Sequence, residues 1–134
     1  MRTRDLGFLL AFSTAALPAG GLLLARQGLP LDLAAWFPVA FIFGVVPWID
    51  AACGLDTDNP VDVDEGHRLE HSRYFRTLTA LVLPVWLGLL GWCTWQFAQQ
   101  PFGPVGQVGW LVSTGVIGGV LAINPAHELI HKST

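Results

Sequence analysis

The chain has 134 residues, 52% of them hydrophobic and only 13% charged, with a formal net charge of −3 at pH 7 and a mean hydropathy of +0.51. Such a composition excludes an ordinary soluble domain, and the negative balance offers no basic footprint for a nucleic-acid partner. Cys53 and Cys93 stand in apolar stretches without CxxC spacing and read as membrane-buried thiols, not as a disulfide or metal ligands.

Taken in order, the charged start Met1–Asp5 leads into a charge-free run from Leu6 to Ala25, long enough to span a bilayer once. A signal peptide is the competing reading, because Ala15, Ala16 and Ala19 supply small residues near its end. Pro18, Gly20 and Gly21 are expected to kink or loosen this helix. A tight turn is expected over Arg26–Pro30, followed by a second span from about Leu33 to Asp50, with Trp36 and Trp48 as belt residues at its ends.

Gly54 to Arg76 is the one extended polar segment, with an acidic cluster around the Asn59–Pro60 turn signal and then a short surface helix. From Thr77 to Ala126 there is no Lys, Arg, Asp, Glu or His. A span needs roughly 20 residues, so this run suits two spans, separated by the turn at Gln99–Pro104. In the last of them Gly115 and Gly119 form a small-xxx-small face for close helix contact. The expected architecture is all-α: a polytopic transmembrane helical bundle forming one integral-membrane domain. Its four spans fall at about 6–25, 33–50, 76–98 and 107–126, with a polar loop at about 54–75. Basic residues set the orientation. With Arg2, Arg4, Arg68, Arg73, Arg76 and Lys132 inside and Arg26 outside, the amino terminus, the acidic loop and the end of the fourth span are cytosolic.

The chemistry-bearing stretch is Asn124-Pro125-Ala126-His127-Glu128-Leu129-Ile130-His131-Lys132. Residues four apart share one helix face, so His127 and His131 can serve one metal ion or one site of a metal pair. Asn124 is a favoured N-cap and Pro125 a favoured first helical residue. The fourth span therefore either breaks at Ile123 and restarts, or continues through Pro125. Glu128 and Lys132 pair on the neighbouring face. His-Glu-x-x-His on a helix is also the zinc-metalloprotease motif, with Glu as the base for the attacking water; an intramembrane zinc protease is the alternative reading. A purely structural reading, two interfacial histidines beside a solvated ion pair, is the third. His67 and His71 have the same spacing in the polar loop and read as a solvated helix face. Asp50, an acid at the inner end of the second span, suits the orientation of a ligand imidazole, beside the plainer reading of an interfacial Asp in contact with water.

The segment His127-Glu128-Leu129-Ile130-His131-Lys132 resembles the first histidine box of the membrane alkane 1-monooxygenases, in the membrane fatty-acid desaturase/hydroxylase superfamily. Pro47-Trp48-Ile49-Asp50-Ala51, the turn through Asp58-Asn59-Pro60, and Arg73-Tyr74-Phe75-Arg76-Thr77-Leu78-Thr79 followed by Pro84 are similar to that family as well. Pro125 stands where the family often has Thr, and Ile130 where Gly is common. The resemblance implies O2-dependent terminal hydroxylation of n-alkanes to primary alcohols at a non-haem di-iron site of two iron ions. His127 and His131 would be ligands, with Glu128, Asp50 and Asn124 in support. It further implies electrons from rubredoxin and its NADH-dependent reductase, a multi-pass place in the lipid bilayer of the cytoplasmic (inner) membrane, and a cytosolic histidine box. The family's later histidine boxes do not occur before Thr134, so an amino-terminal fragment, inactive alone, is expected. An alkane has no polar handle, so an apolar tunnel must select it by size. Phe41, Ile42 and Phe43 on the second span are the candidates for part of its wall, with lipid-facing packing the equal alternative for each.

Overall fold

The computed structural model describes residues 12–53 and 73–131, with side chains on the last helix described as far as Leu121. The start of the first expected span, the acidic cluster, the His67–His71 pair and Lys132 lie outside the described residues. Every described element is helical: a 3-10 turn (Thr14–Ala16), α1 (Leu17–Arg26), α2 (Leu31–Ala34), α3 (Phe37–Ala40), a π-helical turn (Phe41–Val45), α4 (Val46–Cys53), α5 (Arg73–Gln99) and α6 (Pro104–His131). Two of these helices, through Ala80–Gln99 and Pro104–Leu121, are long and apolar enough to cross a membrane; Phe37–Ile49 is a shorter apolar stretch.

The proline pattern explains where the chain is regular and where it is not. Pro18 sits in the first turn of α1, where a missing N–H costs nothing. The irregularity expected near it falls just upstream, in the 3-10 turn. Gly20 and Gly21 do not loosen the helix as expected; they let α1 approach its neighbour. A Cβ on Gly21 would strike the Ala34 carbonyl oxygen, and one on Gly20 would lie 3.2 Å from the Phe37 ring. The turn over Arg26–Pro30 is present, with Gly28 at φ 109°, a left-handed conformation suited to a residue without a Cβ.

The second span is not the single helix expected over 33–50. The chain turns at Ala35–Trp36 and again changes register over Phe41–Val45. Pro38 cannot donate to the Ala34 carbonyl, nor Pro47 to that of Phe43, and each ring crowds the carbonyl four residues back. Just ahead of Pro47 the ladder shifts by one residue, and the Val46 N–H donates to the Phe41 oxygen, the i+5 pattern of a π turn.

The two long helices extend beyond the expected 76–98 and 107–126. At 27 and 28 residues each runs about 40 Å, more than the roughly 30 Å of a hydrocarbon core. They pack against each other through the short turn at 100–103, and α2, α3 and the 3-10 turn pack on α6 as well. The core is Leu22, Ala35, Cys93, Phe102 and Trp110, and the ring of Phe102 lies 5.3 Å from that of Trp110. Between helices in lipid, close packing and hydrogen bonds replace the hydrophobic effect as the source of association. Ser113 Oγ donates to the Ala35 oxygen at 2.7 Å. Trp110 Nε1 donates to the Cys93 oxygen at 2.9 Å. Such interhelical bonds contribute about 1 kcal/mol each. Cys93 is a free, buried thiol.

The close contacts of α6 are made by glycines other than Gly115. Gly115 faces open space. Gly106 lies against Asp32, Gly109 against the Trp36 indole, and a Cβ on Gly118 would lie 2.7 Å from Trp86 Nε1. Trp36 is accordingly a helix-packing residue, its indole N–H donating to the Val105 oxygen at 3.2 Å. Trp48 is 71% exposed and Phe43 66%.

Candidate functional site

The histidine motif lies on α6, which runs without a break from Pro104 to His131. Of the two arrangements open to Asn124–Pro125, the chain adopts the continuous helix. Asn124 is therefore not an N-cap, and Pro125 is an interior residue that leaves the Leu121 carbonyl without its usual donor. His127 and His131 are one turn apart, about 6 Å along the axis and on the same face. Two neutral nitrogen donors in that register suit a shared divalent metal ion, so the backbone of α6 fits the candidate ligand pair. Among the described residues no three His, Cys, Asp or Glu side chains converge. The side chains of Asp50, Asn124, His127, Glu128 and His131 lie outside those described.

Helical register relates this pair to the packed part of α6. His127 is eighteen residues beyond Gly109, and His131 eighteen beyond Ser113, in each case about five turns at 3.6 residues per turn. Gly109 meets Trp36 and Ser113 meets Ala35. The two histidine positions thus continue the face of α6 that packs on the second apolar segment. Gly118, by contrast, is nine residues from His127, about two and a half turns, on the opposite side of the helix.

The proposed tunnel residues occupy the π turn. Phe41 and Ile42 are half-buried, and the Phe41 ring lies 6.0 Å from that of Phe37; Phe43 is largely exposed. None of the three lines the apolar groove between α5 and α6, which has a volume of about 450 Å³ and is walled by Trp86, Leu90, Thr94, Trp110, Thr114 and Gly115 among others. Sequence reasoning missed this groove, and it missed Asp32, whose Oδ1 accepts the Gly103 N–H at 2.8 Å. The three-residue rhythm Gly103, Gly106, Gly109 was the available signal for the second.

The chain is 38% identical over 98 residues to alkane 1-monooxygenase 2 of Pseudomonas aeruginosa, covering 72% of this chain and 26% of the relative. It is 38% identical over 101 residues to alkane 1-monooxygenase 2 of Alcanivorax borkumensis, covering 75% and 26%. To alkane 1-monooxygenase 1 of the same organism it is 34% identical over 119 residues, covering 87% and 28%. By sequence the chain belongs with the alkane 1-monooxygenases, and it spans about a quarter of the length of the curated relatives it matches. No family model matches the chain, and no solved structure matches it.

Proposed function

We propose that this chain is part of a membrane alkane hydroxylase that converts n-alkanes to primary alcohols with O2. The observation that carries the reading is its identity of 38% over 72% of the chain to a protein named alkane 1-monooxygenase. In this reading the chain contributes four spans to the cytoplasmic membrane, with the histidine box on the cytosolic side. The helices over Ala80–Gln99 and Pro104–Leu121 support two of them.

His127 and His131 would hold a non-haem di-iron site together with ligands from outside this chain, and bound iron would supply the activation of O2 for attack on a terminal methyl group. Their neutral imidazoles leave the charge of the site to be set by the other ligands. Glu128 and Asn124 would orient the box, and Asp50 would accept an imidazole N–H, fixing its tautomer. Asp32 packs on Gly106, and Asp50 and Asn124 each follow that contact by eighteen residues. Along the continuous α6, Asn124 therefore lies about 27 Å beyond that contact at 1.5 Å per helical residue. The apolar spans take the substrate from the bilayer, where it dissolves. The electron donor, rubredoxin reduced by its NADH-dependent reductase, would approach from the cytosol.

The test uses a full-length enzyme carrying this segment. His127→Ala and His131→Ala should each abolish hydroxylation and lower bound iron, whereas the double variant His67→Ala/His71→Ala should keep its iron. Full hydroxylation by His131→Ala would overturn the assignment, as would zinc in place of iron.

A further inference from the structure

We infer that the π turn of the second apolar segment holds an ordered water within the membrane, which donates its two hydrogens to the carbonyl oxygens of Ile42 and Phe43. The inference rests on the membrane placement of this segment and not on the hydroxylase reading above.

Backbone hydrogen bonds account for the site. In a regular helix the Ile42 oxygen takes its hydrogen from the N–H of Val46, and in a π turn from that of residue 47. The Val46 N–H is spent on the Phe41 oxygen, and residue 47 is a proline, without an N–H. Phe43 loses its regular donor to the same proline. Two successive carbonyl oxygens are thus without their regular partners, in the middle of the apolar stretch Phe37–Ile49. Acyl chains donate no hydrogen bond, so an unpaired carbonyl at that depth is costly and is met by a side chain or an ordered water.

The site favours water over a side chain. A water needs at least two polar partners, which adjacent acceptors provide, and its two hydrogens serve both, whereas a hydroxyl donates only once. Gly44, which follows the two carbonyls, is exposed and has nothing within 4 Å of where a Cβ would stand, so the backbone is open on that side. The turn packs chiefly on α3 and α4, its neighbours in sequence. Donors elsewhere in the bundle are engaged: Trp36 with Val105, Trp110 with Cys93, Ser113 with Ala35 and Thr114 with Trp110. Water has a short way in, because Asp50 stands eight residues beyond Ile42, about 12 Å along the axis. This strip of backbone therefore borders a hydrated recess and not lipid.

The experiment is water-edited solid-state NMR of the 134-residue chain in lipid bilayers. Ile42–Phe43 is the sole Ile–Phe pair in the sequence and Ile117–Gly118 the sole Ile–Gly pair. Carbonyl-13C isoleucine with 15N-phenylalanine or 15N-glycine therefore isolates one carbonyl at a time. The Ile42 carbonyl is expected to gain magnetisation from water several-fold faster than that of Ile117, which is fully buried. Pro47→Ala returns an N–H to the ladder and removes a poor helix former, so the fold is not endangered. In this variant transfer to Ile42 should fall to the Ile117 level; transfer unchanged would mark general hydration and overturn the proposal. Slow transfer to Ile42 in the parent chain would overturn it as well. The same labelled chain, ligated to the unlabelled remainder of a full-length enzyme, separates the two sources of a donor. Fast transfer retained there supports a held water, and its loss would assign the donor to a side chain of the remainder and reject the water site. Neither measurement needs iron or turnover, so failure of the hydroxylase reading leaves this test unaffected.

Discussion

The carboxylate of Asp32 caps the start of α6 from a different segment of the chain, accepting the Gly103 N–H at 2.8 Å one residue ahead of Pro104. This contact ties α2 to the turn after α5, so both lie at one end of the bundle. It also places a negative group where the partial positive charge of the helix N-terminus is greatest. Removing it should be measurable. Asp32→Ala should lower the unfolding free energy in micelles by about 1–2 kcal/mol, the range for loss of a cap. Asp32→Asn, which keeps an accepting oxygen, should lose less. Equal losses in thermal or detergent unfolding would show that charge, and not the hydrogen bond, dominates.

Two glycines on the same helix should respond in opposite directions to the same substitution. At Gly106 a Cβ would run into Asp32, including its backbone Cα at 2.9 Å, and backbone cannot step aside as a flexible side chain can. Gly106→Ala should be destabilising by about 1–3 kcal/mol, as overpacking is. Gly115 has open space around it, so Gly115→Ala should be neutral or stabilise by up to about 1 kcal/mol through helix propensity. Unfolding of the two variants side by side checks the contrast.

The π turn separates three neighbouring residues that look alike in sequence. Phe41 and Ile42 are half-buried, while Phe43 is 66% exposed. If this segment forms part of the substrate wall in a full-length enzyme, Phe41→Ala or Ile42→Ala should shift the preferred alkane length, and Phe43→Ala should not. Product profiles over a series of n-alkanes give the answer. Unchanged profiles for both half-buried positions would remove this segment from the wall.

Glu128→Gln separates the two catalytic chemistries compatible with His-Glu-x-x-His. In a hydroxylase the side chain orients a ligand, and its amide should retain iron with activity reduced about 10- to 100-fold. In a zinc protease it is the base that activates water, and the amide should abolish turnover. Metal analysis together with product assays distinguishes them.

Topology is open to a direct check. Reporter fusions after Asp58 and after Gly103 should give opposite signals, cytosolic and periplasmic respectively. Equal signals would reject the four-span arrangement.

Composition and local pattern alone determine that this chain is helical and apolar, and where its long helices lie. The charge-free stretch from Thr77 to Ala126 is interrupted by a single proline- and glycine-containing turn, and α5 and α6 flank that turn. The His127–His131 pair is legible for the same reason, since a four-residue spacing on any helix defines one face. Tertiary structure decides what depends on the meeting of distant segments. Which glycines are tight is fixed by where Asp32, Trp36 and Trp86 arrive, and spacing within α6 cannot disclose this: Gly115 fits the small-residue pattern yet faces open space. The second span broke because Pro38 and Pro47 each remove a backbone donor, a local cause whose outcome, a π turn and not a simple bend, emerges only in the folded chain. The groove is likewise invisible in one dimension. It exists because Trp86 and Trp110, twenty-four residues apart, hold two helices at a separation that Gly115 does not fill.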